Sequence, residues 1–373
     1  MSATTGPEFT YLTIEKGTCY VLFVYDVALS IDLEQVEQRA TQTKQRQSIK
    51  HGRRGPKHLV YNAPLRLTEE AQPLPVGALR TLPAVDMVLY DFGAVTVVYG
   101  VDMNGPFSRL SELSLNLYDN ETLLADSKNR VEQLLQDIQG VVQRHGISET
   151  VEDYVIFHIE SLPEGLPIQR LITEHEQGIA RILRAETQIL SADEVQDVMS
   201  GRISYGLNDV TIVDWNAALV VDPEGEDICA VLEFANVELL EMRYLDQSLD
   251  SALERSYALL TRSRWKPGLR SGFADMKQIG KLQVDSAVLF EGVNNSLKLL
   301  GDQYLARVYR LVSQRFHLAE WDETIIRKLE TLESIYEKIS DQVSNLRVEV
   351  LEWIIIILIA VSIVLPFFLE MPH

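Results

Sequence analysis

Two aspartates hold matching places in two stretches of this chain. Asp86-Met-Val-Leu-Tyr-Asp91-Phe92-Gly93-Ala94 aligns with Asp209-Val-Thr-Ile-Val-Asp214-Trp215-Asn216-Ala217. Each reads as an apolar strand, an acidic-aromatic turn and a second strand. Carboxylates placed face to face bind a divalent cation, so Asp91 and Asp214 define a weak metal-dependent enzyme reading. The competing reading is that each carboxylate caps its own hairpin turn. Asp91-Phe92-Gly93 shares its letters with the metal-binding triplet of protein kinases. The glycine-rich loop, the His-Arg-Asp loop and the strand lysine that accompany that triplet are absent from the sequence. The seven histidines form no HxxxH or HExxH pair, and no nucleophile elbow or phosphate loop appears. The reading is therefore non-enzymatic, with no metal and no cofactor assigned.

A second feature could bind anions. From Gln38 to Thr68 there is no acidic residue, while Arg39, Lys44, Arg46, Lys50, Arg53, Arg54, Lys57 and Arg66 accumulate. The whole chain carries a net charge of −20, so this is a local reversal. Lys44, Arg46, Lys50, Arg53, Arg54 and Lys57 are the candidate contacts for RNA phosphate or an anionic lipid headgroup. The bland alternative is a solvated basic loop. Residues 226–260 have the opposite balance, with eight acidic and two basic side chains.

The elements that must position these groups read as α+β. Strands are expected at 19–27, 86–100, 154–160 and 209–222, the second and fourth being hairpins. Helices are expected at 32–46, with Asp32 as cap, and at 106–118, 120–144 and 167–185. The order β-α-β-β-α occurs twice, which suggests a duplicated, ferredoxin-like body over 18–222, after a flexible N-terminus at 1–17.

Beyond it the pattern turns helical. Ile228, Leu232, Ala235, Leu239, Met242, Leu249, Leu253 and Leu260 form one stripe, and Leu289 to Leu311 a looser one. Pro267, Gly268 and Gly272 mark a connector between them. Ile325, Leu329, Leu332, Tyr336, Ile339, Val343, Leu346, Val350 and Trp353 then follow strict 4-3 spacing with charges between them. That is a coiled-coil seam, either within a bundle over 223–350 or between copies in a homo-oligomer.

The seam runs into 17 residues, 353–369, that only Ser362 interrupts. Trp353, Ile354, Ile355, Ile356, Ile357, Leu358 and Ile359 open this run. Its length and composition predict a transmembrane tail anchor over 351–370. Arg347 precedes it and no Lys or Arg follows, which puts residues 1–350 in the cytosol. Two widely spaced cysteines, Cys19 and Cys229, fit a reducing compartment, and the first residues lack the pattern of a signal peptide. The acidic balance argues against general affinity for nucleic acid.

Leu351-Glu352-Trp353-Ile354-Ile355-Ile356-Ile357-Leu358-Ile359-Ala360 resembles the terminal signature of the "required for meiotic nuclear division" family, sporulation-type proteins with a domain of unknown function. The hairpin from Tyr90 to Gly100 and the block Ile279-Gly280-Lys281-Leu282 resemble two more of its motifs. The Phe-Ala-Leu-Arg that usually follows the latter is missing here. So is the Glu that often follows the start of the membrane segment. The resemblance implies a membrane-associated, non-enzymatic protein that forms homo-oligomers. The combined expectation is a membrane-anchored scaffold or tether, acting through self-association or a protein partner, with anion or RNA binding as the alternative.

Overall fold

The computed structural model describes residues 12–39, 43–46, 64–143, 146–163, 167–262, 280, 284 and 303–369. It divides into two units, 1–244 with 289–322, and 245–288 with 323–373.

The first unit is built on one sheet. Its strands in chain order are β1 (Lys16–Asp26), β2 (Thr43–Arg46), β3 (Leu65–Glu70), β4 (Leu79–Leu89), β5 (Ala94–Asp102), β6 (Val151–Ser161), β7 (Arg202–Ile203), β8 (Val210–Val213) and β9 (Ala217–Val221). Across the sheet they run β7-β8-β9-β6-β1-β5-β4-β3-β2. The pair β6–β9 is parallel and the other neighbours along this path are antiparallel.

β1 shows how sequence sets the layers. Its side chains alternate between faces, and both faces are covered, so Cys19 to Tyr25 reads as an unbroken apolar run. Cys19, Val21, Phe23 and Tyr25 point into a core shared with four helices. These are α2 (Arg109–Leu117), α3 (Glu121–Asp137), α4 (Ile168–Leu183) and α5 (Ala192–Ser200); the shorter α1 (Leu33–Arg39) precedes them. Tyr20, Leu22, Val24 and Asp26 take the opposite face. That face is covered by the first part of α6 (Glu226–Arg262) and by α7 (Gln303–Arg315). Tyr90 lies 6.2 Å from Phe234 of α6, and Tyr154 lies edge-on 5.4 Å from Phe316 just after α7.

The duplicated ferredoxin-like body is not what forms. Both hairpins flank the central pair β6–β1, so the two halves join in one continuous sheet. Their connections differ: β6 pairs with the second strand of its hairpin in parallel, and β1 pairs with the second strand of its own antiparallel. The turns differ too. Gly93 has φ +110°, whereas Asn216 is not among the residues of positive φ. The expected helix at 32–46 stops at Arg39, and Thr43–Arg46 is edge strand β2 paired to β3. β-branched Thr43 favours that extended state.

In the second unit, the later part of α6 lies with α8 (Leu318–Leu369) from Glu323 onward. Leu249, Ala252, Ile325, Leu332 and Ile335 are buried. Lys328 Nζ reaches Asp246 Oδ1 and Asp250 Oδ1, each at 2.6 Å. Leu329 and Tyr336 of the expected seam are half-buried. Ile339, Val343, Leu346 and Val350 lie on the helical backbone, with side chains outside the described residues.

The expected tail anchor is corrected here. Among the described residues no helix is long and apolar enough to cross a membrane. A crossing takes about 20 apolar residues for a hydrocarbon core of about 30 Å. Described side chains in the apolar run end at Val361. The stretch 353–361 covers roughly 13 Å of helix axis. The single C-terminal span, the membrane location and the placement of the body in the cytosol lose their support together.

One backbone position anchors the β4–β5 turn. A Cβ on Gly93 would stand 1.8 Å from the carbonyl oxygen of Ala28. The Gly93 carbonyl also accepts from the Val27 N–H at 3.0 Å. Gly93→Ala is expected to lower stability by about 3 kcal/mol or more, from strain and displaced backbone. Gly140→Ala, at φ +89° with nothing within 4 Å, should cost only about 1–2 kcal/mol. Urea midpoints of the two variants check the difference.

Candidate functional site

The polar chemistry of the first unit gathers where α6 and α7 meet the second face of the sheet. The first part of α6 turns several of its polar side chains inward. Glu233, Asn236, Glu238 and Glu241 are all buried. Buried charges need partners, and most of these have them.

Glu233 is held from two strands. Arg66 of β3 donates to its Oε2 at 2.9 Å, and the Tyr90 hydroxyl donates to its Oε1 at 2.9 Å. Arg66 also donates to Asp86 Oδ2 at 2.8 Å, and Thr68 donates to Asp86 Oδ1 at 2.7 Å. Burial opposes the charge on Arg66, but Glu233 and Asp86 outweigh it and hold its proton more tightly than usual. Burial, then Glu233, pushes the Tyr90 hydroxyl well above its ordinary range.

Further along α6, Arg243 pairs with Glu152 of β6. Burial pushes Glu152 up to about 7 in spite of that arginine. Glu238 accepts from the Tyr309 hydroxyl of α7 at 2.6 Å, and burial pushes it too up to about 7. At the start of α6, His158 stacks on Tyr20 with ring centres 6.3 Å apart. His158 Nε2 lies 2.9 Å from the Asp222 carbonyl. A carbonyl only accepts, so Nε2 carries the hydrogen. Burial pushes the thiols of Cys19 and Cys229 up, which makes them poor nucleophiles.

A second network surrounds Asp214. Arg184 Nε donates to its Oδ2 at 2.9 Å, and Arg315 Nη2 to its Oδ1 at 2.6 Å. The same two arginines reach Asp197, at 2.6 Å and 2.8 Å, and Arg184 also pairs with Glu194. The Tyr154 hydroxyl donates to the Asp214 carbonyl at 2.9 Å. Trp215 stacks on His317, with ring centres 5.4 Å apart. Two guanidinium groups thus fill the space in front of the buried Asp214 carboxylate.

The structure does not bring Asp91 to Asp214. Their hairpins stand on either side of β6 and β1, and three strand spacings separate β9 from β5 by roughly 14 Å. Among the described residues no group of three metal-ligating side chains is placed to hold an ion. Of the proposed anion contacts, Lys44 and Arg46 fall on edge strand β2, with side chains outside the described residues. Lys50, Arg53, Arg54 and Lys57 lie outside the described residues altogether. Arg66, from the same basic stretch, is an internal ion-pair partner. The run 351–361 is exposed side chain by side chain, from 47% at Ile354 to 62% at Leu358. Trp353, Ile355, Ile356, Ile357 and Ile359 lie between these values.

What this arrangement does chemically is fix charge in a dry interface. Sequence reading passed over Asp26, Glu233 and Glu241. The available signal was acidic residues at core-facing spacing within an apolar helix.

Removing Asp214 tests the second network. Asp214→Ala leaves two partly buried guanidinium groups around an absent charge, and should cost about 3–5 kcal/mol. Chemical denaturation monitored by far-ultraviolet circular dichroism checks it. A loss under about 1 kcal/mol would mean that the pairs are screened as surface pairs are.

Comparison with known proteins gives kinship without chemistry. The family model described as "Uncharacterized protein MJ0711, N-terminal domain" matches residues 16–227. A relative from Methanocaldococcus jannaschii, "Uncharacterized protein MJ0711", is 22% identical over 272 residues, covering 68% of this chain and 81% of the relative. No solved structure matches. The match corrects the resemblance to the meiotic nuclear division family. That resemblance rested mainly on the composition of the apolar tip and on a hairpin turn, and such patterns recur for physical reasons alone.

Proposed function

We propose that this chain, which belongs to the MJ0711 N-terminal-domain family, is a self-associating scaffold that works by contact and turns over no substrate. The observation that carries this reading is α8. It runs for 52 residues, and its side chains from 351 to 361 are all exposed in the single chain. Within that stretch only Glu352 is charged. An exposed apolar surface of this extent marks a contact site. The apolar spacing of the seam continues into it through Trp353, Ile357 and Ala360, so a second α8 offers a matching surface.

The expected outcome is an assembly in solution. The full chain should sediment as a multiple of 42.3 kDa at micromolar concentration. Trp353→Asp with Ile357→Asp should return it to the single-chain mass, since each charge in an apolar seam costs several kcal/mol. The thermal transition of the first unit should stay in place. A wild-type chain that sediments at the single-chain mass across the concentration range refutes self-association through α8.

A further inference from the structure

Glu241 differs from the other buried acids of α6. It is fully buried, and neither carboxyl oxygen has a hydrogen-bond partner among the described residues. Glu233 has an arginine and a tyrosine, and Glu238 has a tyrosine. Burial acts on Glu241 first, and after it another acid. Asp26, the last residue of β1, is 5% exposed and lies on the sheet face that α6 covers, and its charge is felt at Glu241.

The other charged groups of this region are committed elsewhere. Arg243 is two residues further along α6 and pairs with Glu152 of β6. Asp153 points to the opposite face of β6 from Glu152. Glu238 is bonded to Tyr309 of α7. Among the described residues no arginine or lysine acts on Glu241 or Asp26.

Two ionised carboxylates in a dry contact repel each other, and each only accepts hydrogen bonds. Protonation removes the repulsion and turns one of them into a donor. We infer that Asp26 and Glu241 together hold a proton at neutral pH, and that this proton is a latch seating α6 on the end of β1. Loss of the proton at alkaline pH places two like charges in the contact and loosens the helix.

The direction of the pH effect follows. Burial raises Asp26 to about 7, and burial together with Asp26 raises Glu241 well above the ordinary carboxyl range. The folded chain therefore binds the proton more tightly than the unfolded chain does. The stabilisation is fully present below the unfolded carboxyl range near pH 4, and is lost as pH rises through about 7 and beyond.

The test compares wild type with Glu241→Gln, which keeps the shape and supplies a permanent donor. Between pH 5 and 9 the folding constant of wild type should fall relative to the variant, approaching roughly tenfold per pH unit for one proton released. Glu152 and Glu238 titrate in both proteins and cancel in the ratio. Parallel profiles for the two proteins would overturn the latch. So would stabilisation of wild type by magnesium or calcium at pH 8, reversed by a chelator, because a metal would then occupy the place given to the proton. Should Glu241→Gln fail to fold, infrared difference spectra of wild type decide. A protonated-carboxyl stretch that outlasts the titration of Glu152 and Glu238 near pH 7 and disappears with the alkaline loosening of α6 supports the latch, and a stretch that is gone once those two have titrated rejects it.

Discussion

The contact between Glu233 and the pair Arg66–Tyr90 is the constraint on which the first unit depends. A sheet this wide has two apolar faces, and helices α2 to α5 cover one of them. The other must be covered by segments that arrive much later in the chain, α6 and α7. Apolar contact alone does not fix where a helix sits along such a face, because dispersion and desolvation are not directional. A buried carboxylate between a guanidinium and a hydroxyl is directional. It places one residue of α6 over β3 and β4, and the helix period then sets the rest. Cys229 falls near Tyr20 one turn before, and Glu241 near Asp26 two turns after.

The same device recurs at the other side of the sheet. Arg315, the last residue of α7, reaches into the β8–β9 turn, where Asp214 also receives Arg184 from the end of α4. One carboxylate thus ties a helix from each face to one hairpin. Buried ion pairs of this kind add little net stability compared with an apolar contact of equal volume, yet removing one partner is expensive. Their contribution is to make alternative placements of the helix costly, which serves a fold whose two sheet faces are covered by distant parts of the chain.

Much of this was legible in the sequence. Strands β1, β4, β5, β6, β8 and β9 announce themselves through runs such as Cys19 to Val27, because burial on both faces leaves no polar alternation to confuse the reading. Helices α4 and α6 follow from their apolar stripes. What could not be read was pairing. The two hairpin motifs look like halves of a repeat, yet strand direction across β6–β9 and β1–β5 depends on crossover connections that carry no local signal. β3 was missed because Leu65 and Leu67 alternate with Arg66 and Thr68, which suggested a basic surface loop. The pattern was that of a strand whose polar side faces α6, and only the tertiary structure supplies Glu233 to pair with Arg66.

The acidic balance of 226–260 divides along the helix. Counted along the chain it resembles a solvated surface, and of Asp246 and Asp250, which share Lys328, the first is partly buried and the second exposed. In the earlier part of α6 the same residue type faces inward. The difference lies in spacing. Glu233 and Glu241 are eight apart, a little over two helical turns, so both project within about 80° of one another. Leu232, Leu239 and Leu240, beside them on the helix, are buried too. A carboxylate at core-facing spacing in a long apolar helix thus has two physical outcomes: a cation or hydroxyl from another element, as at Glu233, or retention of its own proton, as proposed for Glu241. The first leaves a trace in the sequence only when its partner is recognisable, as Arg66 is in hindsight. The second leaves none, because its partner is another acid, and acids close in space repel unless the site is dry enough to keep a proton.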